Sequence, residues 1–274
     1  MITAEDYSFL IKFLAARSGM ELGIEKLYLV RARLEPVAAA HQLSNLSELV
    51  AKLRRGQDLE LEVAVVSAMT TNETYFFREA GMFDVFQNWL LPLIYEKKKN
   101  TKSLRIWSAA CSTGQEPYSI SMSLALSPRP FHDWIVEILA TDISESVMNR
   151  AKTGLYNSTE INRGLPEETR KRFFTKENDN WRIVPEIARR VVFKHMNLMN
   201  SADGVGSFDI IFCCNVLIYF GEQTKKTMIK KFTTALPPDG YLILGAAENV
   251  IGSSDIFESA GKKNVGIYKK RGSP

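Results

Sequence analysis

The stretch Leu104-Arg-Ile-Trp-Ser-Ala-Ala-Cys-Ser-Thr-Gly-Gln-Glu-Pro117, followed by Tyr118-Ser-Ile-Ser-Met-Ser-Leu-Ala-Leu126, admits few folds. Leu104 to Ser108 has the character of a short buried strand, and the residues up to Gly114 are small enough for a tight turn. Pro117 suits the first position of a helix, where a missing N–H costs nothing, and Ile120 and Leu124 then face inward. A strand, a small-residue loop and a helix make the unit of an open α/β sheet, which binds ligands at the carboxyl ends of its strands. Bare backbone in the loop lets a nucleotide-like ligand lie close, although many α/β proteins carry such a loop for structure alone. It is not the dinucleotide fingerprint. G-x-G-x-x-G needs glycines where Ser108, Ala110 and Cys111 stand, and only Gly114 is present.

About 28 residues after Gly114, the apolar run Val136-Glu-Ile-Leu-Ala-Thr-Asp142 ends on a carboxylate. At the tip of a second strand Asp142 is placed to accept hydrogen bonds from ribose hydroxyls. It is equally suited to cap a helix over Ser144 to Lys152, and the two roles are compatible.

A chain of 274 residues holds one large domain and a smaller one, with a core that needs neither disulfide nor metal. The odd count of cysteines (Cys111, Cys213, Cys214) argues for a reducing compartment, and the scattered His41, His132 and His195 predict no metal site. Glu5, Asp6, Lys12 and Arg17 exclude a secretory signal, and no apolar run is long enough to span a bilayer; a soluble, cytoplasmic protein is expected. The net charge is only +4, but residues 150–194 carry 11 Lys/Arg against 6 Asp/Glu, which suits an acidic partner or a solvated surface. No aromatic-rich basic stripe suggests nucleic acid.

Taken in order, Thr3 with Asp6 starts a helix bearing Phe9, Leu10, Phe13 and Leu14. A second holds Leu27, Val30 and Leu34 before Pro36 disturbs it, a third begins at Ser44 or Asn45, and a fourth carries Leu59, Val63, Val66 and Met69. Together they predict a small bundle, with two basic groups (Lys26, Arg31, Arg33 and Lys52, Arg54, Arg55) that would guide an acidic macromolecule or simply keep the surface soluble. The segment from Thr70 to Arg78 is the expected junction, followed by a helix bearing Phe83, Phe86, Trp89, Leu90 and Leu93, and a polar loop from Glu96 to Ser103. Within 154–194, Arg172 to Thr175, the turn Asn178-Asp-Asn180 and Trp181 to Val184 read as a hairpin and predict an inserted antiparallel sheet, and Arg190 to Phe193 returns to the main one. Phe208 to Cys213, a helix from Glu222 to Leu236, Tyr241 to Leu244 and a closing pair near Phe257 and Val265 to Tyr268 complete the sheet.

A methyl-transfer site built on S-adenosylmethionine needs a small-residue loop for the amino-acid end, a carboxylate for the ribose and polar groups near the sulfonium. The loop to Glu116, Asp142 and the strand end at Asn215 provide these. Over nearly its whole length the chain resembles the chemotaxis receptor glutamate methyltransferases, the CheR family. The motifs are Thr70-Thr-Asn-Glu-Thr-Tyr-Phe-Phe-Arg78, Trp107 to Ser119, Ala140-Thr-Asp142, Asn197-Leu198 and Asn215-Val-Leu-Ile-Tyr-Phe220.

The resemblance implies a Rossmann-like methyltransferase sheet over residues 76–274, with the inserted β-subdomain near 154–194, and an N-terminal helical docking domain over 1–75. It implies a cofactor site of Asn72, Thr74, Arg78, Glu116, Asp142, Asn197, Leu198, Asn215 and Val216, with Arg78 and Tyr219 nearest the methyl group. The expected products are S-adenosylhomocysteine and a glutamate methyl ester. The implied partners are chemoreceptor cytoplasmic helices and a receptor C-terminal peptide on the inserted sheet, met by a monomer without membrane insertion. Gln115 and Cys214 stand where the family often has an acid and an arginine. The alternatives are methyl transfer to another substrate, or a non-catalytic adaptor that binds the cofactor.

Overall fold

A computed structural model describes residues 2–200, 204–250, 252–253, 255–261 and 265–272. The N-terminal bundle is α1 (Ala4–Ser18), α2 (Leu27–Ala40), α3 (Leu46–Arg55) and α4 (Leu59–Met69), packed on Leu10, Leu14, Val30, Leu34, Leu49 and Val65. Its helix starts follow from short polar side chains: Thr3, Asn45 and Asp58 each accept the N–H three residues on. Phe9 and Phe13 are only half-buried and stack on each other, beneath the guanidinium groups of Arg54 and Arg17.

Pro36 does not end α2, as its lack of an N–H would suggest. Leu34 and Ala38, one turn apart around it, are both buried in the bundle core and hold the helix together. Four of the six basic residues singled out in the bundle are engaged. Arg31 pairs with Glu35, Lys52 with Asp58, and Arg54 with Glu5 and Asp6. Arg33 donates to the carbonyls of Met69 (2.7 Å) and Thr70 (2.9 Å), at the end of α4.

The predicted helix after Arg78 is α5 (Ala80–Val85), a π-helical turn over Phe86–Leu90, and α6 (Leu91–Lys98). Phe83, Phe86 and Leu90 are buried, whereas Trp89 and Leu93 are partly exposed because the wider π turn shifts the phase of the buried face. Glu96 to Lys98, expected in a loop, continue α6, and Ser103 already belongs to the first strand.

The α/β part runs β1 (Ser103–Ala109), α7 (Gln115–Leu126), β2 (Ile135–Asp142), α8 (Glu145–Thr153), β3 (Leu155–Asn157), α9 (Ser158–Asn162), α10 (Glu167–Phe173), β4 (Phe174–Glu177), β5 (Asn180–Ile183) and α11 (Pro185–Ala188). It continues through β6 (Val191–His195), β7 (Ile210–Cys213), α12 (Glu222–Ala235), β8 (Tyr241–Leu244), β9 (Phe257–Ser259) and β10 (Ile267–Lys270). The main sheet has the order β6-β2-β1-β7-β8-β10-β9, parallel from β6 to β8 and antiparallel beyond. The chain winds one way from β1 through β2 to β6 and then the other way from β7, so the switch point lies between β1 and β7. Helix α7 begins at Gln115, two residues earlier than Pro117 suggested, because Gly114 adopts φ 94° and closes the turn at once.

The inserted part is a three-stranded sheet, β3-β5-β4, over a core of Tyr156, Phe173, Phe174 and Ile183. Arg172 and Phe173 lie in α10 and not in the hairpin. Within the basic segment Arg150 pairs with Glu160, Lys171 with Glu167 and Arg182 with Glu177; Arg163 pairs with Glu73 outside it, and Arg190 is buried against the Ser121 carbonyl. No helix among the described residues is long and apolar enough to cross a membrane.

Candidate active site

The loop after β1 is shaped by backbone that side chains rarely tolerate: Ala110 has φ 61°, Ser112 φ 51° and Gly114 φ 94°. At Gly114 a Cβ would sit 3.0 Å from both the Ala151 methyl and the Tyr156 hydroxyl, so this position requires glycine. The turn is tied to β2 by the Cys111 N–H on the Thr141 carbonyl (2.9 Å) and the Ser112 N–H on Oδ2 of Asp142 (2.9 Å). Oδ1 of Asp142 accepts the N–H of Ser144, which is the cap residue of α8. Asp142 therefore supports the helix start from two residues before it. Its burial raises the carboxyl pKa, and the amide donors of Ser144 and Ser112 work against that rise.

Glu116 lies in the first turn of α7 and accepts from the Ser108 hydroxyl at 2.7 Å. Burial pushes its carboxyl up to about 7; the hydrogen bonds from Ser108 and Cys214 oppose this, the charge of Glu248 adds to it, and Arg78 pulls against it. Cys214 is held as a thiol well above the usual range by burial and by the neighbouring Glu116 and Glu248.

The junction segment crosses this end of the sheet without regular structure. Phe76 anchors it, edge-on to Tyr156 (4.9 Å) and Phe174 (5.4 Å), and the Phe77 N–H donates to the Ser119 hydroxyl at 2.9 Å. The Asn72 carbonyl receives the Ser112 hydroxyl at 2.8 Å, which joins the junction to the β1 loop. Arg78 folds back, with Nη1 2.6 Å from the Glu73 carbonyl and its guanidinium over the Tyr75 ring.

After β7 the chain passes through Cys214, Asn215 in the left-handed region (φ 60°) and Val216 into a single 3-10 turn, Leu217–Tyr219. Tyr219 is 36% exposed, so it is not a core aromatic. Its carbonyl accepts the N–H of Glu21 at 3.0 Å, and Met20 forms a β-bridge with Phe220, so the end of α1 is stitched to this turn. Asn197 spends its amide on the Arg17 carbonyl (2.6 Å) and on the Met199 N–H (2.9 Å), while Leu198 beside it is buried.

Asn72, Thr74, Arg78 and Glu116 line one cavity at the carboxyl ends of β1, β2 and β7; Asp142, Asn197 and Leu198 line it too, as do Asn215, Val216 and Tyr219. Sequence reasoning missed Ser18 and Met20, which the bundle contributes to the wall, and Ser112. It also missed Glu248 behind the β7 turn, whose signal was an acid closely following a strand and Gly245. The cavity fits a polar ligand carrying a cation: Glu116 offers a carboxylate, and Nδ2 of Asn215 is a buried donor with no partner among the described residues.

Residues 5–70 match the family described as "CheR methyltransferase, all-alpha domain" and residues 72–265 "CheR methyltransferase, SAM binding domain". The chemotaxis protein methyltransferase of Vibrio anguillarum is 42% identical over 272 residues, covering 98% of each chain. Chemotaxis protein methyltransferase 1 of Vibrio cholerae gives the same identity and coverage. Chemotaxis protein methyltransferase Cher2 of Pseudomonas putida is 41% identical over 250 residues, 90% of each chain.

Proposed function

This chain belongs to the CheR methyltransferase family, and on that premise we propose that it methylates glutamate side chains of chemoreceptors with S-adenosylmethionine, leaving S-adenosylhomocysteine. The observation that carries the reading is the convergence of five separate segments, 72–78, 116, 142, 197–198 and 215–219, on one cavity at the switch point of the sheet. We assign Asp142 to the ribose hydroxyls, because its carboxylate, at the tip of β2 on the cavity wall, accepts from backbone amides including those of Ser112 and Ser144 and still has acceptor capacity to spare. Glu116 and the β1 loop take the amino-acid end. Asn72, Thr74, Asn197, Leu198, Asn215 and Val216 complete the cofactor wall.

When bound, the cofactor supplies a methyl group on a positively charged sulfur. The acceptor brings its own nucleophile, since a glutamate side chain with a pKa of about 4.3 is ionised near neutrality. No residue of this chain has to remove a proton. Its work is to hold the acceptor carboxylate in line, which supplies up to roughly 7–11 kcal/mol of the barrier, and to compensate a charge that leaves water. Arg78 has one N–H on the Glu73 carbonyl and further donors for an incoming carboxylate. The hydroxyl of Tyr219, a residue 36% exposed on the cavity wall, is the second donor.

The bundle, acting as a cytoplasmic monomer, would dock on receptor helices. The inserted sheet offers β4, which pairs only with β5 among the described residues, as an edge to which a receptor C-terminal peptide adds as a strand. The test is to mix the protein with chemoreceptor-bearing membranes and methyl-labelled cofactor. A base-labile methyl ester on the receptor is expected, and label found only in base-stable adducts rejects the glutamate assignment.

A further inference from the structure

We propose that Glu248 is a positioning residue for methyl transfer: its carboxylate ties the turn after β7 to the end of β8 and so sets where Asn215 and Tyr219 stand in the cavity. The proposal rests on the methyltransferase reading and extends it to a residue that does not itself line the cavity.

Glu248 is only 7% exposed, and its two oxygens accept four backbone N–H groups. Oε2 takes those of Asn215 (2.7 Å) and Gly245 (2.8 Å), and Oε1 takes those of Val216 (2.8 Å) and Ile218 (3.2 Å). These amides sit where two parallel strands have ended, beyond the reach of ladder hydrogen bonds, so without the carboxylate they would lack partners. Among the described residues no basic side chain forms an ion pair with Glu248. Its charge is balanced by amide dipoles, which makes each bond charge-assisted.

Two further features need the clamp. Asn215 adopts φ 60°, a left-handed conformation that Asn tolerates better than other non-glycine residues and that the clamp on its own N–H helps hold. Gly245 is the complement: a Cβ there would lie 2.9 Å from Oε2 of Glu248 and 3.0 Å from the Asn215 nitrogen, so the approach requires a bare backbone. Tyr219 follows the last clamped residue directly and closes the same 3-10 turn.

The test uses full-length Glu248→Gln and Glu248→Asp. Calorimetry with S-adenosylhomocysteine counts binding-competent sites, and receptor methylation is read per competent site. Glu248→Gln places an NH2 against N–H donors and is expected to lower kcat per site roughly tenfold to a hundredfold, as the loss of one charge-assisted hydrogen bond or more would. KM for receptor should hold within about threefold, because none of the four amides that Glu248 holds belongs to the docking bundle. The amide protons of Asn215, Val216, Ile218 and Gly245 should move upfield in NMR spectra. Glu248→Asp keeps the charge at shorter reach and should fall between. A purely structural role instead lowers the number of competent sites and leaves kcat per site at the wild-type value, and that result overturns the proposal. If Glu248→Gln does not fold, a folded Glu248→Asp with wild-type kcat per site overturns it. Failure of both to fold assigns Glu248 to folding alone and overturns it likewise. A wild-type protein inactive on receptors rejects the enzymatic reading instead, and the amide shifts together with S-adenosylhomocysteine affinity then decide on the clamp by themselves.

Discussion

The N–H of Ser112 donates to Oδ2 of Asp142 at 2.9 Å, joining the loop after β1 to the tip of β2. Asp142→Ala removes that acceptor and the one serving Ser144, leaving two buried donors unpaired at about 1–3 kcal/mol each. A lower melting temperature and an S-adenosylhomocysteine affinity reduced roughly tenfold or more are expected, by scanning fluorimetry and calorimetry. Wild-type affinity in this variant would remove the ribose assignment.

Arg78 is tethered to its own segment through the Glu73 carbonyl and forms no ion pair among the described residues. Arg78→Ala should therefore change stability by less than about 1 kcal/mol while lowering receptor turnover roughly a hundredfold, with Arg78→Lys between the two. Single-turnover methylation at saturating cofactor separates this from weakened binding. Unchanged turnover rules Arg78 out as the carboxylate's partner.

The Glu116 carboxyl, pushed by burial from 4.5 up to about 7, makes both stability and binding depend on pH. The folded chain holds this proton more tightly than the unfolded one, so the contribution is most favourable below about 4.5. It falls by roughly 3 kcal/mol as pH climbs through the window and is fully lost above about 7. A ligand with an ammonium group prefers the ionised carboxylate, so S-adenosylhomocysteine affinity should rise over the same window with release of a proton. Calorimetry in buffers of different ionisation enthalpy measures that proton; Glu116→Gln should abolish it.

Arg33 reaches from α2 to the carbonyls of Met69 and Thr70 and to the Thr71 hydroxyl (3.2 Å), immediately before Asn72. Arg33→Ala leaves the start of the junction unsupported, with about 1–3 kcal/mol lost in denaturant unfolding and a weaker cofactor affinity. A change in receptor KM alone, with stability and cofactor affinity intact, would return Arg33 to the docking surface.

Local chemistry made the central unit legible. A run of small residues between a strand and a helix, and a carboxylate closing the next strand, set the positions of these elements: Asp142 does end β2, whereas Glu116, expected in the loop, falls in the first turn of α7. Pro36 and the Glu96 to Lys98 run misled because tertiary packing and helix continuation outweighed local preference. Arg33 was read as surface charge since nothing in its neighbourhood reveals carbonyls 36 and 37 residues away. Glu248 was overlooked for the same reason: three of its four amides come from a turn about 30 residues earlier, brought near by the pairing of β7 with β8.

Residues Met20 and Glu21 hold Phe220 and Tyr219 by backbone alone, so the two lengths of chain must match in shape whatever their side chains. Hybrids between relatives that exchange the first seventy or so residues without the 215–220 turn would bring together halves of a seam cut to different patterns. Such hybrids keep their catalytic groups in line only when both sides of that seam come from the same parent.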